Sequence, residues 1–84
     1  GIKKQMNSQD KHSHCIKINN AIDDLKKTYR ISGVWSLEGV ISGYCSVNNL
    51  NEDVMKRSYA TYLKNNRSDV DAAIVNKYVE IYDR

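Results

Sequence analysis

Cys15 and Cys45 are the residues whose type and spacing most readily suggest chemistry. They lie thirty positions apart in a chain of 84 residues that has no C-x-x-C motif. An even number of cysteines in so short a chain is typical of a structural disulfide, which persists only in an oxidising compartment. Such a bond would close a loop of about thirty residues and contribute about 3–4 kcal/mol. The alternative is two buried, reduced thiols that pack like small apolar side chains.

A short cluster of potential metal ligands or catalytic groups surrounds the first cysteine: His12, His14 and Cys15. Zinc requires three or four preorganised ligands, and the sequence has no second cluster of Cys or His. A catalytic cysteine requires a lowered thiol pKa and an oriented base, and a bond to Cys45 would remove the nucleophile. The sequence therefore predicts no metal, no cofactor and no catalytic residue, which favours a binding module over an enzyme.

The charge of the chain is modest and unevenly spread. Thirteen Lys and Arg stand against ten Asp and Glu, and residues 1–30 alone carry seven Lys and Arg against three Asp. Nucleic-acid binders more often concentrate basic residues on one face, with a pI above about 9, so we expect a solvated surface and no nucleic acid. No apolar run reaches the roughly 18 residues of a membrane span, so we expect no membrane insertion. The glycine at position 1 fits a mature chain whose signal peptide has been removed.

Apolar residues spaced three and four apart predict the first helix. This stripe consists of Cys15, Ile18, Ile22, Leu25 and Tyr29. Ser13 is the expected N-cap, since its hydroxyl can accept a hydrogen bond from the first turn. Residues 1–11 show no such period, which predicts a flexible arm ahead of one helical domain over residues 12–84.

The segment 31–45 is apolar nearly all round, which predicts a buried, central second helix. Its main stripe is Val34, Leu37, Ile41 and Tyr44, and Trp35 and Val40 widen it. Gly39 and Gly43 each cost a helix about 1 kcal/mol relative to alanine, so we expect compensation by close packing against a neighbour. The Val and Ile content makes a strand the competing interpretation.

Two further helices follow a turn at residues 46–50. Asn49 with Glu52 resembles a capping box for the third helix, and Asn51 is an alternative cap. The third helix ends at 65–67, and its apolar stripe consists of Met55, Tyr59, Tyr62 and Leu63. Ser68 and Asp71 form a second capping box, which opens the fourth helix. The apolar stripe of this helix consists of Val70, Ala73, Ile74, Tyr78 and Ile81. The sequence therefore predicts an all-α fold: a compact four-helix domain with short connections, with one disulfide joining helices 1 and 2.

The aromatic residues are six tyrosines and one tryptophan, without phenylalanine. Tyr59, Tyr62 and Tyr78 fall on the core stripes, where a tyrosine needs a partner for its hydroxyl. The other three, Tyr29, Tyr44 and Tyr82, fall near helix ends. There they fit the rim of the core and a protein–protein interface equally well, because Tyr and Trp are enriched in interfaces.

The second half of the chain resembles a known family. The runs 37–45, 50–63 and 71–78 are similar to the Rap-type immunity proteins of bacterial type VI secretion. The shared pattern is a glycine-rich helix, a cysteine, a capped helix that ends in the pair Tyr62-Leu63, and a helix that opens after a short polar break. The resemblance covers roughly residues 34–80, about half of the chain.

The resemblance implies a periplasmic helical protein, often a homodimer, that acts as a toxin inhibitor. Its partner would be a peptidoglycan amidase of the papain-like cysteine class, injected by neighbouring cells and blocked at its active-site cleft. We expect polar residues at helix ends to contact this toxin, with Glu38, Tyr44, Asn48 and Asn49 as candidates.

Two alternatives to this function remain, and the disulfide has two possible arrangements. The chain could be a periplasmic adaptor or chaperone-like module, for which the disulfide and a hydrophobic groove would serve. It could also be a small nucleic-acid-associated regulator, which only the basic first half supports. The disulfide between Cys15 and Cys45 could link two chains as well as lie within one.

Overall fold

A computed structural model describes residues 7–28, 33–66 and 71–83. It contains α1 (Ser8–Thr28), α2 (Val34–Asn48), α3 (Glu52–Asn65) and α4 (Ala72–Tyr82). No strand occurs in these three ranges. The all-α prediction with four helices is therefore confirmed, and the strand interpretation of the second segment is wrong.

The first helix begins earlier than its apolar stripe suggests. Asn7, not Ser13, caps it: the Asn7 side-chain oxygen accepts a hydrogen bond from the Asp10 amide at 2.8 Å. Asp10 lies in the first turn, where the helix dipole favours a negative charge. Residues 8–11, expected in the flexible arm, are thus helical, and the arm's residues 1–6 lie outside the described ranges.

Asparagine and aspartate residues set three of the other helix boundaries. Asn49 ends α2 in the left-handed conformation, at φ 55°, which asparagine tolerates better than most residues. Asn51 caps α3, since its side chain accepts from the Val54 amide at 3.0 Å, so the alternative cap of the sequence analysis is the one used. Asp71 caps α4 through the Ala73 amide at 2.8 Å. The predicted cap Ser68 lies outside the described residues.

The core lies where α2 and α3 meet the other helices. Each of these two helices contacts the three others, whereas the described parts of α1 and α4 do not contact each other. The buried side chains are Cys15, Ile18, Ile22, Leu37, Ile41, Cys45, Leu50, Met55, Tyr59, Ala60, Leu63 and Tyr78. None of the helices in the described ranges is both long and apolar enough to cross a membrane.

Two buried tyrosines fasten α3 to its neighbours. The Tyr59 hydroxyl donates to the side-chain oxygen of Asn19 on α1 at 2.8 Å. The Tyr78 hydroxyl donates to the backbone oxygen of Lys56 at 2.7 Å, which holds α4 on α3. Tyr59 and Tyr78 also meet edge to face, with ring centroids 5.7 Å apart. Each hydroxyl thus has the partner that burial requires.

The disulfide predicted between helices 1 and 2 is absent from the structure. Cys15 and Cys45 are both buried and carry no disulfide, and both pack in the core as small apolar side chains do. Their neighbours His14 and Tyr44 nevertheless meet, with 2.5 Å between the His14 Nδ1 and the Tyr44 hydroxyl oxygen. The first half of α1 therefore lies against the end of α2, as the prediction required, while the two cysteines are thiols in this structure.

Burial of Cys15 makes the stability of the fold sensitive to alkaline pH. It raises the pKa of the thiol from 9.0 to about 11. As the pH rises, the unfolded chain therefore loses the Cys15 proton before the folded chain does. The contribution of the protonated thiol to the free energy of unfolding is complete below pH 9.0 and is lost as the pH rises to about 11. We expect the free energy of unfolding to fall by about 2 kcal/mol across this window because of Cys15. Urea denaturation at a series of pH values measures this free energy of unfolding.

The matched comparison is Cys15→Ala. This variant should lose the part of the alkaline decline that begins near the ordinary thiol pKa of 9.0. It should retain the part caused by buried tyrosines, because burial raises the pKa of Tyr78 above its ordinary value of 10.0. Identical pH profiles for the two proteins would show that Cys15 does not control this behaviour.

Candidate functional site

The second helix buries one side only. Leu37, Ile41 and Cys45 face the core, but Trp35 is 69% exposed and Val47 86% exposed. The prediction that this helix is buried all round is therefore wrong. Its apolar residues form an inner stripe that packs and an outer stripe that does not.

The two internal glycines lie on the exposed side. A Cβ atom added at Gly39 or Gly43 would meet nothing within 4 Å. The expected close packing of these glycines against another helix of the same chain is thus also wrong. Their cost to the helix, about 1 kcal/mol each relative to alanine, has no compensating contact at these positions.

We call this side the outer face of α2. Its members recur at helical spacing and are Trp35, Ser36, Gly39, Gly43, Ser46 and Val47. From Trp35 to Val47 the face is about 18 Å long at 1.5 Å per residue. It contains no charged side chain, although charged residues make up 27% of the chain.

The other helices expose charged side chains, such as Lys17 on α1, Arg57 on α3 and Glu80 on α4. The one charged residue of α2 lies away from the outer face: Glu38 is half-buried and accepts a hydrogen bond from the Tyr82 hydroxyl of α4. The uncharged character of the outer face is therefore specific to α2.

The ring of Trp35 lies against the backbone at the start of α2. A Cβ atom on Gly33 would come within 3.0 Å of Cδ1 and 3.1 Å of Nε1 of this ring. The backbone of Gly33 is extended, at φ −175°, so space for the ring, and not a special conformation, is what glycine provides here. The small residue thus lets Trp35 lie close to the helix terminus while most of its surface stays in water.

Three of the four predicted toxin-contacting residues come together at the end of α2. The Asn48 side chain donates to the Tyr44 backbone oxygen at 2.9 Å, and Asn49 follows directly as the exposed C-cap. Tyr44 is half-buried beside His14. These residues adjoin Val47 and so the end of the outer face. Glu38 is not among them, because it lies six residues earlier and faces α4.

The polar groups of Tyr82 and Tyr44 are engaged within the fold. Burial, with the hydrogen bond to Glu38 and the charge of that carboxylate, raises the pKa of Tyr82 to about 12. Burial also raises the pKa of Tyr44, with smaller effects from Cys45 and Cys15. Both hydroxyls therefore remain protonated at neutral pH and stay in contact with Glu38 and His14 respectively.

The cluster around the first cysteine is dispersed in the structure. His14 contacts Tyr44, whereas the His12 ring lies 5.7 Å from the ring of Tyr62. The pKa of Cys15 is raised, which is opposite to the shift that activates a thiol nucleophile. Within the described ranges no three His, Cys, Asp or Glu side chains are grouped so that they could hold a metal ion.

The outer face thus offers recognition and not reaction chemistry. Tryptophan is enriched among the residues that dominate binding energy, and a row of small residues allows a partner's backbone to approach closely. The four-residue spacing of Trp35, Gly39, Gly43 and Val47 was visible in the sequence. The apolar residues on both sides of the helix concealed which side faced water.

Comparisons with known proteins add no relatives to this description. Neither a protein-family model, nor a curated protein, nor a solved structure matches the chain.

Proposed function

We propose that this chain is a protein-binding module that docks a partner protein on the outer face of α2. The observation that carries the proposal is an uncharged helix face with Trp35 and Val47 exposed at its two ends. Tryptophan is enriched among the residues that dominate the energy of protein interfaces, so an exposed tryptophan on an uncharged helix face supports an interaction site.

The energetics of the face favour a protein partner. Burial of an interface tryptophan commonly contributes 2 kcal/mol or more, so Trp35 is the expected anchor. Gly39 and Gly43 leave room for a partner's backbone, because a Cβ atom at either position would meet no described residue beyond the adjacent part of α2 within 4 Å. No charged group on the face has to lose its water, so little of the gain is offset by desolvation.

A more specific form of the proposal, called the finer form below, is that the partner is a secreted peptidoglycan amidase of the papain-like cysteine class. The chain would then be a periplasmic immunity protein that covers the amidase cleft with α2 and protects the producing cell. The resemblance of residues 34–80 to Rap-type immunity proteins supports this form. Tyr44, Asn48 and Asn49 would supply a polar rim next to Val47, which is the usual arrangement around an apolar interface centre.

The test of the finer form is inhibition. The chain is mixed with the purified papain-like amidase encoded in the same genome, and the release of peptide from peptidoglycan is measured. We expect a stable complex on size-exclusion chromatography and loss of activity when the chain is equimolar with the amidase. An amidase that stays fully active in excess chain would contradict the immunity role.

A second occupant of the outer face is another copy of this chain. Positions 35 and 47, like positions 39 and 43, are symmetric about position 41. Two α2 helices packed antiparallel about a two-fold axis would therefore place Trp35 of one copy against Val47 of the other. The two pairs of glycines would face each other at the crossing. This spacing favours the homodimer that the family resemblance implies.

Sedimentation equilibrium distinguishes the two occupants. A homodimer through the outer face gives a mass that rises with concentration, and Val47→Asp should abolish that rise while Ile16→Asp, at an exposed position on α1, should not. A mass that stays monomeric at every concentration would contradict the homodimer and leave the face to a different protein.

The periplasmic location and the disulfide form one further proposal. Cys15 and Cys45 are thiols in the structure, and a periplasmic chain would meet an oxidising environment. We expect the chain isolated from the periplasm to be lighter than the reduced chain by two hydrogen atoms and to run as a monomer on a non-reducing gel. A fully reduced chain from that compartment would contradict the bond, and a gel dimer would place it between chains.

The rival functions predict different partners. An adaptor or chaperone-like module would bind several unrelated clients and not one amidase. A nucleic-acid regulator would show an affinity for DNA or RNA that falls steeply with salt. The outer face favours protein over nucleic acid, because it carries no Lys or Arg to neutralise phosphates.

A further inference from the structure

A cleft opens between the first turns of α1 and the last turns of α3. Its volume is about 460 Å³, which lies within the range of about 300–1,000 Å³ for small-molecule sites. The residues that matter for its chemistry are Lys11, His12, Cys15, Tyr62, Asn65 and Asn66. The cleft is separate from the outer face of α2, so what it binds is independent of the docking proposal.

The cleft interrupts the packing between the two helices. Farther along α1, Asn19 is joined to Tyr59 of α3 by a hydrogen bond of 2.8 Å. Toward the start of α1, the facing positions carry polar side chains such as Lys11 and Asn65 in place of the apolar ones that fill such a contact. Polar side chains at facing positions leave room and hydrogen-bonding groups for a ligand.

The α1 wall of the cleft is cationic, and the rings of His12 on α1 and Tyr62 on α3 meet beside it. Lys11 is half-buried, and no carboxylate among the described residues pairs with it or lines the cleft. The His12 and Tyr62 rings lie 5.7 Å apart at 48°. The floor includes Cys15, whose raised pKa keeps its thiol neutral at physiological pH. This wall favours a carboxylate next to a flat apolar group.

The opposite wall, the last turn of α3, offers acceptors. The side-chain amides of Asn65 and Asn66 donate to the backbone oxygens of Thr61 and Tyr62, each at 3.0 Å. Donation through nitrogen leaves the two side-chain oxygens as acceptors. The carbonyl end of a helix also carries a partial negative charge, which favours a cation.

We propose that this cleft binds a zwitterionic aromatic amino acid or a peptide of similar size. The ligand's carboxylate binds Lys11, its ammonium group binds the oxygens of Asn65 and Asn66, and its ring packs on Tyr62 and His12. A ligand with one charge alone would use only one of the two walls. The ligand class is therefore defined by a cationic group on the α1 wall and acceptor oxygens on the α3 wall of the same cleft.

Free L-phenylalanine is the probe, and two analogues each keep its ring but only one of its two charged groups. Phenylpropionate has the ring and carboxylate without the ammonium group, and phenethylamine has the ring and ammonium group without the carboxylate. Binding is followed by NMR through the ring signals of His12 and Tyr62. We expect phenylalanine to shift both signals and each analogue to bind at least about tenfold more weakly, since a charge-assisted hydrogen bond contributes on the order of a factor of ten.

Lys11→Gln should weaken phenylalanine binding by about the same factor, whereas Lys17→Gln, at an exposed position of α1, should leave it unchanged. Both substitutions retain a long polar side chain, so the comparison isolates the charge at the cleft. Unshifted His12 and Tyr62 signals up to the solubility limit of phenylalanine would overturn the proposal. Equal affinity of the Lys11→Gln and Lys17→Gln variants would overturn it as well.

Discussion

Trp35→Asp is expected to lower the affinity of the chain for its protein partner by at least about a hundredfold, which corresponds to about 2.7 kcal/mol. The substitution removes the largest apolar side chain of the outer face, which is 69% exposed in the free chain. It also places a charge where the partner would have to exclude water. Because the side chain makes little contact with the core, the folded structure should be retained. Isothermal calorimetry with the purified amidase measures the affinity.

Ile81→Asp is the matched control for Trp35→Asp. Ile81 is also an exposed large apolar residue, at 39%, but it lies on α4, away from the outer face. We expect this variant to bind as the unchanged chain does. Equal losses for the two variants would mean that added charge, and not the outer face, reduces binding, and unchanged affinity for Trp35→Asp would remove Trp35 from the interface.

Tyr59→Ala is expected to destabilise the fold by about 4 kcal/mol, as large-to-small changes of buried aromatic residues do. Tyr59 is fully buried and its ring stacks on that of Tyr62 at 5.8 Å. Its loss also leaves the oxygen of buried Asn19 without the hydroxyl donor that now lies 2.8 Å away. In a small domain this change consumes much of the free energy of unfolding, which urea denaturation measures.

Two milder substitutions test the same contact if the Tyr59→Ala chain is too unstable to measure. Tyr59→Phe removes only the hydroxyl and should cost about 1–2 kcal/mol. Tyr62→Ala changes a half-buried tyrosine on the same helix and should cost less than Tyr59→Ala, because less surface returns to water. A Tyr59→Ala chain as stable as Tyr62→Ala would contradict the role of Tyr59 in holding α1 on α3.

The helices were predictable because their apolar residues recur at helical spacing and their ends carry capping residues. Asn51, the alternative cap for α3, is the one used, and Asp71, predicted as the capping-box partner of Ser68, is itself the N-cap of α4. The start of α1 was missed because its first turn buries little apolar surface, and the capping side chain of Asn7 carried the only signal. The spacing of apolar residues indicates the part of a helix that packs against the core, whereas a capping residue indicates where the helix begins or ends.

The candidate surface was not predictable to the same degree. A helix that is apolar on both sides does not reveal which side meets the core, and only the packed arrangement shows Leu37 inside and Trp35 outside. The disulfide is a related case. The spacing of Cys15 and Cys45 places them on α1 and α2, but it cannot determine whether the two buried thiols are bonded.

The most direct test of the outer face as a docking surface uses its single tryptophan. Trp35 is the only tryptophan of the chain, so labelling with 5-fluorotryptophan gives one ¹⁹F signal from the face itself. We predict that unlabelled amidase, or increasing concentration if the occupant is a second copy, shifts this signal to a new position that saturates. A signal that stays at its solvent-exposed position, while binding is detected by another method, would contradict the account.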